Sequence, residues 1–163
     1  EKVAFELHNN VGVIATKATV NSALYRKSIR KHNKFIQVDE LATPLLVPAI
    51  EEGLKNHAIT HSIIYHYLSN KKLKNIETLI LGCTHYPLLI DEIKHFYGNR
   101  VRVIDSPNIV AAELKVVLEQ NQLLNKDNPS PNYQFFLSDI TKNFEKISKK
   151  FFGKTIHLEL KVL

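Results

Sequence analysis

The chain has 163 residues, 44% of them hydrophobic and 23% charged, with a formal net charge of +6. That suffices for one ordinary globular domain or two small lobes. No apolar run reaches the length of a membrane span, no basic segment followed by an apolar stretch opens the chain as a secretory leader would, and the single cysteine excludes an internal disulfide and fits a reducing compartment.

There is no methionine, even at position 1, so the sequence is expected to be cut from a longer protein. Val3, Ala4 and Leu7 read as the tail of a helix ending at Asn9-Asn10. Residues 11–15 form a first apolar strand, and a helical pattern covers about 20–31. Thr16 and Thr19 lie between them. Hydroxyls at a strand's carboxyl end can hold an anionic group, although Thr19 reads equally well as a helix cap. Lys17, Arg26, Lys27, Arg30, Lys31 and Lys34 form the densest basic cluster. With no helix-turn-helix and no RNA-binding aromatic signature beside it, the cluster reads as a solvated helix face and nucleic acid is not an expected partner.

A second strand is expected over 35–38. Pro44 and Pro48 then frame an irregular stretch before a short helix. Glu51 or Glu52 offers an acid to a cleft, or simply stabilises a helix start. A further helix spans about 60–68. His57 and His61 are four apart and could share a helix face, but without a cysteine or carboxylate partner they make a weak zinc pattern, and no metal is expected.

The third strand, 78–82, is the most informative. Leu79-Ile80-Leu81 runs into Gly82 and delivers Cys83, Thr84 and His85 at the strand's carboxyl end. In open α/β sheets ligands bind at that end. Pro87 suits the first turn of a helix over about 88–96. The amino end of that helix would face Cys83, attract a carboxylate and favour thiolate. Thr84 adds a hydroxyl for a polar substrate, and His85 can exchange protons beside the thiol. The competing reading makes Cys83 a small buried apolar residue; position alone leaves both open.

A strand over 101–104, a helix over 109–121, a loop over 125–132, a strand over 133–137, an amphipathic helix over 140–151 and a strand over 156–160 complete the chain. Strands alternate with helices throughout, which predicts an α/β fold with a mainly parallel sheet and a soft boundary near Ser106-Pro107.

Leu-Gly-Cys-Thr-His-Tyr-Pro-Leu-Leu over 81–89 resembles the second cysteine motif of glutamate racemases, of the aspartate/glutamate racemase superfamily. Residues 15–20 (Ala-Thr-Lys-Ala-Thr-Val), 46–53 (Leu-Val-Pro-Ala-Ile-Glu-Glu-Gly), 103–106 (Val-Ile-Asp-Ser) with Ala111-Ala112, and 136–139 (Phe-Leu-Ser-Asp) are similar in the same order. Ala15 stands where the family often has glycine, and Thr43 where many members have cysteine. The family's first cysteine motif, Cys-Asn-Thr, and its Asp-Ser-Gly motif do not occur.

The resemblance implies a parallel-sheet three-layer α/β lobe over 1–105 carrying Cys83, and a return segment over 106–163 that completes another lobe. It implies cofactor-independent interconversion of L- and D-glutamate by two thiols, one on each face of the substrate, with no cofactor and no metal. Cys83 would serve one face. Thr84 and His85 would bind or assist the substrate, Glu51 would orient His85, and Thr16 and Thr19 would help to bind substrate. Further implications are a homodimeric full-length enzyme, a cytoplasmic bacterial location, a supply of D-glutamate for peptidoglycan, and no membrane or nucleic-acid partner. With one cysteine, the 163 residues alone are expected to be inactive. The rival readings are an aspartate or hydantoin racemase, a thiol hydrolase using Cys83 and His85, and a basic binding module.

Overall fold

The structure is a computed structural model that describes residues 9–54, 57–125, 133–140, 144–145, 148–149, 152 and 156–161. Strand β1 (Asn10–Ala15) leads to helices α1 (Lys17–Ser22) and α2 (Leu24–His32), then to β2 (Gln37–Ala42) and α3 (Leu46–Glu51). Helix α4 (Ala58–Leu68), a 3-10 turn (Lys71–Leu73) and β3 (Thr78–Gly82) come after these. A second 3-10 turn (Tyr86–Leu89), α5 (Ile90–Tyr97), β4 (Arg102–Asp105) and α6 (Ser106–Gln120) come next. Strands β5 (Phe135–Leu137) and β6 (Leu158–Leu160) pair in parallel as a separate two-stranded sheet.

The main sheet has the order β2-β1-β3-β4, and every ladder in it is parallel. Parallel strands need crossover connections, which here place helices on both faces. Side chains alternate along β1. Ile14 faces a core with Leu46, Ile50, Ile64, Leu68, Leu79, Leu81, Leu89 and Ile93, so α3, α4 and α5 cover that side. Val11, Val13 and Ala15 face the other core with Ile29, Val38, Ile80 and Ile104, covered by α2 with partial help from Val20, Tyr25 and Ile109. This is the expected three-layer α/β arrangement. Each fully buried Leu or Ile stabilises it by roughly 1.5–3 kcal/mol relative to exposure.

Several boundaries differ from those expected. The second strand lies at Gln37–Ala42, not 35–38. Its Glu40 is buried on the sheet, with Oε2 3.2 Å from Arg26 Nε of α2. A carboxylate at an inward position breaks the apolar pattern by which a strand is recognised, and the arginine offsets its desolvation. The helix expected over 20–31 is two helices. Ala23 adopts φ 53°, ending α1 and starting α2. Helix α3 begins before Pro48, which occupies its first turn where no amide hydrogen is needed. Helix α6 begins at Ser106 instead of 109, so the Ser106-Pro107 boundary is a strand-to-helix junction. None of the 15 residues of α6 is fully buried. Strands β5 and β6 are shorter than expected. The helical tail before Asn9, most of the 125–132 loop and much of the 140–151 helix lie outside the described residues.

Candidate active site

All four strands of the main sheet point the same way, so their carboxyl ends form one edge. The chain steps from β1 outward to β2 and later returns to β3 on the other side of β1. The crevice of an open α/β sheet lies at such a reversal, outside the carboxyl ends. Ala15 and Gly82 are register partners there, so Thr16 and Cys83 each stand one residue beyond a paired position on adjacent strands.

Cys83 is half-buried, packed partly against the apolar core and free of any disulfide. Its Sγ lies 3.9 Å from Nδ1 of His85. On the other side of the imidazole, Nε2 lies 3.3 Å from Oε1 of Glu51, the last residue of α3. Three residues named from the sequence therefore form one chain: thiol, imidazole, carboxylate. With Nε2–H donating to Glu51, the Nδ1 lone pair faces the sulfur and can accept its proton. Of the two candidate acids, Glu51 is the one that reaches His85.

The remaining expectations fare unevenly. Thr84 is exposed beside Cys83. Thr16 and Thr19 come together, with hydroxyls 3.1 Å apart. The cap of α1 is Thr16, not Thr19: its Oγ1 accepts from Thr19 N at 3.4 Å, and Thr19 lies inside the helix. The α-helix expected from Leu88 begins at Ile90. Between Cys83 and that helix the chain forms a 3-10 turn, with Tyr86 N donating to Cys83 O at 3.2 Å and Leu88 N to His85 O at 3.1 Å. Proline at position 87 shortens the available i→i+4 ladder and favours the tighter turn. Among the described residues, no group of three or more His, Cys, Asp or Glu side chains is arranged to hold a metal ion. His57 instead caps α4, its Nδ1 accepting from Ile59 N at 3.3 Å.

Two buried hydroxyls near Cys83 form a contact that sequence reasoning misses. Tyr86 and Thr43 are both fully buried, and Tyr86 Oη lies 2.6 Å from Thr43 Oγ1. Burial pushes the Tyr86 phenol up to about 12. The Thr43 hydrogen bond pulls the other way, and the neighbouring Cys83 and Tyr67 add to the rise. The available signal is the placement of Tyr86 inside the cysteine motif. Thr43 carries no local signal of its own. At the opposite edge, a groove of about 500 Å³ is lined by Asn10, Gln37, Asp39, Lys71, Lys72, Asn75 and Ile76, at the amino ends of β1 and β2 and away from the thiol.

A half-buried thiol, an imidazole and a carboxylate thus stand in sequence at the reversal point of a parallel sheet, a set of groups able to exchange protons. The sequence profile described as Asp/Glu/Hydantoin racemase matches residues 2–114. The chain belongs to that family. It is 43% identical over 149 residues to the glutamate racemase of Neisseria meningitidis serogroup A, covering 91% of this chain and 55% of that protein. It is 41% identical over 152 residues to that of Persephonella marina, covering 93% of this chain and 56% of the relative. The fold is similar to crystal structures of glutamate racemases. One from Francisella tularensis, in complex with D-glutamate, has a TM-score of 0.85 at 36% identity, with 96% of this chain and 58% of that one covered. A glutamate racemase isoform from Bacillus anthracis has a TM-score of 0.89 at 31% identity, with 98% and 60% covered. The chain thus spans somewhat over half the length of these relatives.

Proposed function

We propose that this chain supplies one catalytic face of a glutamate racemase. The observation that carries the reading is the Cys83–His85–Glu51 chain at the sheet's reversal point, in a protein whose relatives are glutamate racemases. The Cα–H of an amino acid is a very weak acid, so the carbanion needs electrostatic support and a base held within contact. His85 Nδ1 takes the proton from Sγ and leaves a thiolate. The thiolate removes the Cα proton from one face, and a thiol on the opposite face delivers its own proton to Cα. The reverse direction exchanges the two roles. Glu51 holds the imidazole. Thr84, Thr16 and Thr19, with neighbouring backbone amides, bind the substrate's charged ends.

Two-face proton transfer needs a second thiol, and Cys83 is the only cysteine among the 163 residues. In this reading the second thiol comes from another segment, residues 1–105 form one lobe, and residues 106–163 help to complete another. The whole enzyme is a cofactor-independent, homodimeric bacterial protein of the cytoplasm that supplies D-glutamate for peptidoglycan, cell-wall biogenesis and cell shape. Among the described residues, no helix is long and apolar enough to cross a membrane.

Circular dichroism of L- and D-glutamate over time tests the reading in a protein that contains these residues and both lobes. Racemisation is expected in both directions, with glutamate preferred over aspartate, and Cys83→Ser is expected to abolish it with the fold retained. Undiminished turnover in Cys83→Ser would sink the assignment. The 163-residue chain alone is expected to give none.

A further inference from the structure

Tyr86 joins the working turn to the rest of the sheet at two points. Its backbone N–H closes the turn on Cys83 O at 3.2 Å. Its hydroxyl lies 2.6 Å from Thr43 Oγ1 and donates towards Thr43 O at 3.3 Å. Thr43 is in turn bound to β1, with its N–H donating to Ala15 O at 2.9 Å and its Oγ1 to the same oxygen at 3.3 Å. If the Thr43 hydroxyl proton points to Ala15 O, the Tyr86 proton points to Thr43 Oγ1. The relay then runs Tyr86, Thr43, Ala15, and it links the residue after Cys83-Thr84-His85 to the carboxyl ends of β1 and β2.

A buried phenol without a partner is costly, so the pair is needed once Tyr86 is buried. A phenylalanine would fill nearly the same space. What the hydroxyls add is geometry: they set how far the Cys83 turn stands from Thr16 at the end of β1 and from Glu51, beyond the end of β2. The Tyr86 phenol is protonated throughout the neutral range, as any tyrosine is, and burial extends that range upward.

We propose that Tyr86 and Thr43 are positioning residues, a hydroxyl clamp that fixes the Cys83 turn on the ends of β1 and β2 and holds Sγ toward His85 Nδ1. The assignment rests on Cys83 being the working thiol. The rate of alkylation of Cys83 by iodoacetamide is measured against pH in a protein that contains these residues and both lobes, and is followed on the Cys83 peptide by mass spectrometry, so it reads one atom even beside a second thiol. Glutamate turnover is not involved, so this measurement stands apart from the racemisation assay.

Tyr86→Phe and Thr43→Val are each expected to slow alkylation near neutral pH roughly fivefold, the worth of about one hydrogen bond. The pH profile should shift toward that of His85→Ala. Thr43→Ser, which keeps the hydroxyl, should restore most of the rate. In a His85→Ala background Tyr86→Phe should have no further effect. Far-ultraviolet circular dichroism checks that each variant is folded. Thr43→Val leaves the Tyr86 ring in place and carries the test if Tyr86→Phe does not fold. Unchanged profiles in the folded variants would overturn the proposal. So would an equal fall with and without His85, because the clamp would then act on stability and not on the thiol–imidazole contact.

Discussion

Nε2 of His85 lies 3.3 Å from Oε1 of Glu51. This contact decides which ring nitrogen carries hydrogen and which faces the sulfur. The carboxylate side chain is 54% exposed, so solvent weakens the pair. Exposed pairs of this kind contribute about 0–1 kcal/mol. Glu51→Ala is therefore expected to slow racemisation, and alkylation of Cys83 near neutral pH, by no more than about fivefold. Glu51→Gln, which keeps an acceptor, should lose less. A loss of several orders of magnitude in Glu51→Ala would mean that Glu51 itself handles a proton.

Alkaline stability depends on the tyrosines. Burial pushes Tyr86 up to about 12 and Tyr97 further still, whereas an unfolded tyrosine ionises near ~10. The fold holds these protons more tightly than the unfolded chain does. Their contribution is thus complete below about pH 10 and is lost as pH rises through the folded values. Tyr86 alone accounts for roughly 2–3 kcal/mol of that loss. Urea unfolding at a series of alkaline pH values should show the decline, and Tyr86→Phe should make it shallower.

Ala23 sits at φ 53° between α1 and α2. A left-handed conformation costs a Cβ-bearing residue roughly 1–2 kcal/mol. Glycine removes that strain but adds freedom to the unfolded chain. Ala23→Gly is expected to raise stability by about 0.5–1 kcal/mol, visible as a higher Tm. A lower Tm would show that the Ala23 methyl packs more usefully than its backbone suggests.

Gly82 is required by its neighbours. A Cβ there would stand 3.1 Å from Ala15 Cβ, 3.1 Å from Tyr25 Cε2 and 3.2 Å from Ile14 O. The backbone oxygen cannot yield cheaply. Gly82→Ala is expected to cost about 1–3 kcal/mol and to displace Cys83, lowering turnover as well as Tm. Adding Ala15→Gly should recover part of the loss, since it removes one of the three contacts.

The parts of the molecule that are legible in the sequence are those where pattern and chemistry agree. Residues 11–15 and 78–82 are nearly continuous apolar runs because both faces of a central parallel strand are covered. The thiol, imidazole and acid are each recognisable by residue type and position, and they do meet. Strand β2 departs from its expected place because its inward Glu40 is balanced by Arg26 from a helix, a partner that no strand pattern reveals. The break at Ala23 is invisible because alanine is a strong helix former and gives no sign of a left-handed turn. The Tyr86–Thr43 contact joins residues 43 apart, and no local pattern announces such a pair.

Strand β1 lies between β2 and β3, and its second neighbour arrives only with residues 78–82. No hairpin can seed this sheet, since each ladder waits for a helix-bearing crossover to close. During synthesis the middle strand must therefore remain half-paired, with one edge open to other chains, until Gly82 has left the ribosome. The order of strands that creates the crevice also sets the longest wait for a partner among the described strands.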